Sequence, residues 1–392
     1  MNRRLLLLVL CQGFFLTNNV TFIAINGLVG LRLAPSAWLA TLPITAYVAG
    51  GALFAGLVAR HQRRWGRQRA FQLGLVVAMA TTALCAWAAW QGHFWVLVAG
   101  ATLAGYYNAN AGLYRFAATE LVELPFKEKA ISWVLAGGIL GAVAGPNLAR
   151  WTRNALPAEF AGAYAALALV ALASLATISF IRFPPLVLPT PSAPGRKLAE
   201  IAAQPVFIVA VVACALGYGV MNLLMAATPI AMSMCSHPFD NTALVIEWHV
   251  LGMFAPSFFT GSLIKRFGAL RVMAVGLALE AICIGVALSG VDLMHFLIAL
   301  FTLGVGWNFL FIGGTTLFTQ AYRPEEKTSA QAAMDTIIFG TMAISSFSSG
   351  ALVTTQGWTL LNLGSIVPVT LIGAALLWFA AQQRAALRAR PL

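Results

Sequence analysis

The sequence predicts an all-α membrane protein: twelve transmembrane helices in two pseudo-symmetric six-helix bundles. Three observations lead to this fold class. The chain of 392 residues is 60% apolar and only 9% charged, with mean hydropathy +0.83, whereas soluble domains carry about 25% charged residues. That leaves too little polar surface to cover a water-soluble globule and excludes soluble enzymes. Apolar runs of about 20 residues, enough to cross a bilayer, recur along the whole chain. The basic residues behind the net charge of +12 sit in the gaps between those runs, mostly in every second gap. This is the pattern of membrane topology, not of a nucleic-acid surface.

The first run follows Asn2-Arg3-Arg4 and spans about 5–30. It outlasts a signal peptide, and Leu10 before Cys11 is too large for signal or lipoprotein processing, so an uncleaved helix is expected. Further spans are expected at 37–58, 71–90, 94–118, 130–150 and 160–181, and then at 206–230, 242–264, 271–290, 294–319, 330–353 and 359–380. Between the sixth and seventh, Pro184, Pro185, Pro189, Pro191 and Pro194 accompany Arg196 and Lys197, the composition of an extended linker. The expected units are therefore an N-terminal bundle at 1–182, a cytoplasmic linker at 183–205 and a C-terminal bundle at 206–392. With both termini in the cytoplasm, every Lys and Arg falls on the inner side except Arg32, Arg150 and Arg153. The cysteines, Cys11, Cys85, Cys214, Cys235 and Cys283, are scattered, mostly inside apolar runs, and form no disulfide framework.

The halves repeat each other. Gly56-Leu-Val-Ala-Arg60 leads to Arg64-Trp-Gly66-Arg67 after the second span, and Gly261-Ser-Leu-Ile-Lys265-Arg-Phe-Gly268 follows the eighth. Lys127-Glu128-Lys129 between the fourth and fifth spans is matched by Glu325-Glu326-Lys327 between the tenth and eleventh. With these loops the chain resembles the major facilitator superfamily, which implies two parallel repeats rocking around a midplane site. The first loop departs from the family pattern, with Arg60 where an aspartate is usual. In the fifth span Gly141-Ala-Val-Ala-Gly145-Pro146 is similar to the glycine-proline motif of antiporters. Small residues four apart also simply allow two helices to approach closely.

Five of the 11 methionines and two of the five histidines fall between Met221 and Met253. Met221 and Met225 share one helix face, as do His249 and Met253, because residues four apart on a helix lie one turn above each other. The seventh span runs outward and the eighth returns, which puts Met221 and His249 at similar depth. Thioether and imidazole suit a soft ion such as Cu(I). The competing reading makes the methionines gap-fillers and His249 a proton carrier. The Met-x-x-x-Met and His-x-x-x-Met pairs resemble those of the CcoA-like bacterial copper transporters. That resemblance implies Met221, Met225, His249 and Met253 as metal ligands and copper delivery for maturation of cbb3-type cytochrome c oxidase. Met232, Met234, Cys235 and His237, in the external link, would admit the metal.

Other polar residues lie within the spans. Asn19, Tyr106, Tyr107, Asn108 and Trp307, with Gln12, Asn18, Asn110, Tyr114 and Asn308 nearby, would line a central cavity. Glu247 and Asp335 are candidates for proton coupling, with Glu280 a further intramembrane carboxyl; Arg115 and Asp335 would pair near the inner end. There is no phosphate-binding Gly-Lys-Ser/Thr loop and no catalytic constellation, so an ATP-driven pump and an enzyme are both unexpected. The expected protein is a monomeric, multi-pass importer of copper in the bacterial inner membrane, with copper as substrate and no prosthetic group. Its partners would be the copper ion, the lipid bilayer and periplasmic or cytoplasmic copper-handling proteins, with no nucleic acid. The second reading is a proton-coupled carrier of a small organic solute, a vitamin or drug, for which an aromatic and amide lining suits a flat molecule.

Overall fold

The computed structural model describes residues 2–123, 126–184 and 195–388, with backbone alone for 127–129, 324, 328 and 386–388. Pro185, Pro189, Pro191 and Pro194 of the expected linker lie outside the described residues. The elements are α1 (Arg3–Leu33), α2 (Leu42–Gln91), α3 (Phe94–Ala111), α4 (Tyr114–Thr119), α5 (Lys127–Thr152), α6 (Ala161–Ser179), α7 (Leu198–Ala202), α8 (Pro205–Met234), α9 (Phe239–Phe254), α10 (Ser257–Phe267), α11 (Ala269–Ser289), α12 (Leu293–Phe318), α13 (Lys327–Thr355) and α14 (Gly357–Arg388).

Among the described residues, nine helical segments are long and apolar enough to cross a membrane, and the bent pair α9–α10 makes a tenth. The segment containing α2 crosses twice, because the helix breaks at Gly66 (φ 78°, ψ 169°). The crossing by α3 is more polar, since its second half carries Tyr106, Tyr107, Asn108 and Asn110. The twelve expected crossings are thereby accounted for. Gly66 and its repeat partner Gly268 (φ 87°) both occupy backbone that L side chains avoid. A side chain would meet nothing within 4 Å at either position. The shared loop motif therefore selects glycine for conformation, not for space.

The bend of 41° between α9 and α10 has a local cause. Pro256 lacks the N–H that would continue the helical ladder. Asn308 of α12 supports the break, donating from Nδ2 to the Met253 carbonyl and to Ser257 Oγ, both at 2.7 Å.

Three apolar cores organise the molecule. One is shared by both halves, from Val20–Val29 and Tyr47 to Val220–Met232, Phe239–Met253 and Trp307. The other two lie nearer the chain termini and belong to one half each: Leu5–Leu16 with Phe71, Tyr107 and Tyr114, and Ile201–Ala215 with Leu310, Phe318 and Ile338. The molecule is therefore joined at the end away from the termini and forked toward them. Polar bonds reinforce the joined end. Thr41 Oγ1 donates to the Ser346 carbonyl at 2.8 Å and accepts from Gly350 N–H at 3.0 Å. Asn147 Nδ2, next to Pro146 in α5, donates to Glu247 Oε2 of α9 at 2.8 Å. Trp38 packs edge-on against Phe347, and Phe160 against Phe239.

At the forked end, ion pairs act within each half. Arg67 grips Glu120, the closest contact being Nη2 to Oε1 at 2.7 Å. Arg196 donates to both oxygens of the buried Glu326, which also accepts from the Arg323 N–H. The Arg196 guanidinium, and then that N–H, hold the Glu326 carboxyl well below the usual carboxylate range. The pair fixes the far end of the chain that joins the halves to the loop before α13.

Candidate substrate site at the fork

The three cores meet on half-exposed aromatic side chains. Tyr218 of α8 and Phe311 of α12 pack against both the shared core and the C-terminal core, and Phe254, at the end of α9, against both the shared core and the N-terminal core. Trp307 stands at their centre. Its ring stacks on Phe311 at 5.1 Å and 12°, and meets Tyr218 edge-on at 5.1 Å and Phe254 at 6.3 Å. Glycines place it there. A Cβ at Gly304 would strike the backbone of α9 around Gly252, and one at Gly306 the backbone of α11 around Gly276 and Glu280. The backbone of α12 can thus sit deep between two helices while Trp307 turns toward the fork.

The N-terminal half presents a second aromatic group. Tyr107 meets Phe15 edge-on at 5.6 Å, and Tyr106 meets Phe54 at 6.0 Å. Asn18, Phe22, Tyr47, Thr81, Thr82 and Tyr107 line a cavity of about 10 Å³, and the buried Asn18 Nδ2 has no hydrogen-bond partner. That volume is close to what one water needs. Arg115, just after α3, and Asp335, in the first third of α13, are both exposed. Aromatic rings of both halves and the unpartnered Asn18 amide thus gather where the cores meet. Aromatic faces and amides of this kind stack planar heteroaromatic molecules and hydrogen-bond their edges.

The cavity residues expected from the sequence divide. Trp307 packs against the aromatic rings between the cores, and Tyr107, in the N-terminal core, lines the small cavity beside Asn18. Tyr106 is anchored by His61, its OH 2.7 Å from Nδ1, and His61 stacks on Trp65. Asn19 donates to Tyr47 OH at 3.0 Å. Asn108 packs over Gly51 of α2, and Asn308 supports the α9 break. Glu247 belongs to the joined end. A Glu247→Ala change removes a hydrogen bond to a carboxylate, worth about 1.5–3 kcal/mol, and should favour the state open at that end. In an Ile230→Cys variant with Cys235 replaced by Ser, the added change is expected to speed labelling by a polar maleimide about tenfold or more. Sequence reasoning missed Tyr218, Phe254 and Phe311, which only the tertiary structure brings to Trp307.

The soft-ligand residues expected from the sequence lie inside the protein or in the external link. Met221, Met225 and Met253 are buried in the shared core among apolar side chains. His249 is fully buried and turned to α12, its Nδ1 2.7 Å from the Leu300 carbonyl. A carbonyl only accepts, so Nδ1 carries the proton. In the external link, Met232 is buried and Met234 exposed. Cys235 caps α8, and His237 Nε2 is bonded to the Val291 carbonyl at 2.8 Å. Among the described residues no three of His, Cys, Asp and Glu group as a metal site.

Comparison with known proteins corrects the copper reading. The chain is 40% identical over 364 residues to the riboflavin transporter RfnT of Brucella anthropi, covering 92% of this chain and 91% of that one. It is 26% identical over 381 residues to YddS of Bacillus subtilis, an uncharacterised MFS-type transporter, covering 91% and 86%. In structure it is similar to a bacterial homologue of the iron transporter ferroportin in its inward-facing state, with TM-score 0.73, 14% identity and 96% and 98% coverage. At that identity the likeness shows the fold alone. Copper import, the main function expected from the methionines and His249, is overturned by the near full-length similarity to a transporter of an organic vitamin, and the CcoA-like resemblance is not supported. Met221, Met225 and Met253 lie among apolar side chains of the shared core, where methionine packs as an adaptable hydrophobe. The Major Facilitator Superfamily model matches residues 236–392. Together with the twelve-crossing fold and the near full-length relatives, that match establishes that the chain belongs to the major facilitator superfamily.

Proposed function

We propose that this protein carries riboflavin, or a closely similar planar vitamin, across the bacterial inner membrane by alternating access. The observation that carries the reading is the 40% identity to RfnT along nearly the whole of both chains. The site chemistry agrees with it. The isoalloxazine ring of riboflavin is a flat, tricyclic, weakly polar plate with hydrogen-bonding edges. Trp307, Phe311 and Tyr218 offer a stacking platform at the fork, and Asn18 offers an unpartnered amide. The asymmetry of basic residues supports an orientation with both termini in the cytoplasm. The joined end then faces outward, and the fork opens inward. The two units, 1–182 and 206–392, rock about the fork, with 183–205 as the connecting segment.

The test is uptake of radiolabelled riboflavin by riboflavin-auxotrophic bacteria expressing the protein. The expected result is saturable uptake and growth at riboflavin concentrations that do not support cells carrying empty vector. Uptake no greater than the vector control, with the protein present in the membrane, would falsify the reading.

A further inference from the structure

The carboxyls Glu247 and Asp335 have evident surroundings, a gate hydrogen bond and an exposed helix start. Glu280 does not. It lies in the interior of α11, fully buried, and neither carboxyl oxygen has a hydrogen-bond partner among the described residues. The site is a notch cut by glycines. A Cβ at Gly217 of α8 would come 3.6 Å from Glu280 Oε1, and one at Gly306 of α12 would come 3.2 Å from its Cγ. One turn before Glu280, Gly276 lets α12 approach, since a Cβ there would lie 2.8 Å from the Gly306 carbonyl. Gly217 precedes Tyr218 and Gly306 precedes Trp307, so the notch lies against the two helices that carry the aromatic platform. The Trp307 indole N–H is also buried without a partner.

The charged environment is sparse. Titratable groups on the helices around the notch are Cys283, one turn along α11, Arg271 at the start of α11, and Cys214 and Tyr218 on α8. The segments of α12 and α14 at this level, 303–313 and 366–381, contain no titratable residue. Lys265 and Arg266 of α10 lie at its far end, beside the loop to α11. An ionised carboxylate with neither cation nor donor is very costly in such a place, and a bound proton removes the charge. Ordinary packing gives no reason for a carboxyl here, because leucine or glutamine would fill the notch without that cost.

We propose that Glu280 is a proton-binding site coupled to the substrate site at the fork. The acid takes up its proton from water while the joined end is open. In the conformation described, the joined end has closed and the acid is loaded. When α8 and α12 rearrange as the fork opens fully, the notch widens and the O–H proton passes to water on the inner side. The carboxylate left behind accepts from a donor that the rearrangement brings to it, and reprotonation from water on the outer side, once the joined end reopens, restores the loaded acid. Each cycle then moves one proton, and the indole that stacks the substrate senses the charge of Glu280. This inference rests on the alternating-access reading above, with riboflavin as the probe.

Two measurements on purified protein in lipid test it, using Glu280→Gln, which keeps the side-chain shape. The first is independent of substrate: infrared titration of the protonated-carboxyl C=O stretch in nanodiscs. The expected result is a band present at neutral pH in the wild type, diminishing as pH rises, and absent from E280Q. Absence of an E280Q-sensitive band, or a band unchanged across the titration, overturns the proposal. The second is riboflavin transport in proteoliposomes. The expected result is several-fold stimulation of wild-type uptake by a proton gradient directed the same way as riboflavin, whereas E280Q keeps riboflavin exchange and loses the stimulation. Exchange without stimulation in the wild type, or equal stimulation in E280Q, overturns it. If no riboflavin moves in either protein, the proposed substrate is wrong and the infrared result alone decides the role of Glu280.

Discussion

Trp307→Ala is expected to weaken riboflavin binding by about tenfold to a hundredfold. Stacking of a heterocyclic base on an aromatic side chain is worth about 1–3 kcal/mol by alanine substitution. Trp307 is the ring on which the others converge, stacked on Phe311 and bordered by Tyr218 and Phe254. Truncation removes the platform and frees Phe311, which loses its parallel neighbour. It also leaves a void at the edge of the shared core, so stability falls as well. Two controls separate the effects. Trp307→Phe keeps an aromatic face and should retain most of the affinity. Phe318→Leu, in the C-terminal core away from the fork, should lower the melting temperature with little change in affinity. Quenching of riboflavin fluorescence by purified protein reads the affinity directly. An unchanged dissociation constant in folded Trp307→Ala would remove the platform from the account.

Gly141→Val is expected to have the largest effect on the fold. A side chain at Gly141 of α5 would lie 2.6 Å from both the Leu16 carbonyl carbon and the Thr17 amide nitrogen of α1. These are backbone atoms and cannot swing aside. The Thr21 hydroxyl reinforces the same pair of helices, donating to the Gly145 carbonyl at 2.8 Å. Inserting bulk into a packed interior costs about 1–3 kcal/mol where side chains can adjust, and here the helices themselves must separate. The variant should give little monodisperse protein, or a melting temperature several degrees lower. Gly56→Ala is the matched control, because nothing lies within 4 Å of an added Cβ there, and it should behave as wild type by size-exclusion chromatography and thermal melting.

These two positions illustrate what could be read from the sequence. Span lengths and the repeat were legible, because the bilayer fixes the length of an apolar helix and because both Gly66 and Gly268 answer the same backbone demand. The small-residue pattern at Gly141 and Gly145 was legible as a close approach, although its partner, α1, was not. The candidate site was legible only in part. Trp307 and Tyr107 stood out as polar aromatics in apolar runs, but Tyr218, Phe254 and Phe311 come from separate stretches, and their meeting depends on how α8, α9 and α12 cross. The methionines misled for the same reason. Spacing along one helix reports which residues share a face, not what that face meets. Gly252 and Gly304 draw α9 against α12, and the His249 Nδ1–H is bonded to the Leu300 carbonyl. Met221 and Met225 settle into apolar packing in the shared core.

The most direct test of the central claim is a riboflavin titration of the purified protein with fragment competitors. Lumichrome supplies the flat ring system without the ribityl chain, and ribitol the chain without the ring. If the site at the fork recognises a planar ring by stacking, riboflavin binds saturably, lumichrome displaces it and ribitol does not, with Trp307→Ala weakening both ring-containing ligands alike. Absence of saturable riboflavin binding, or displacement by ribitol with none by lumichrome, would contradict the account.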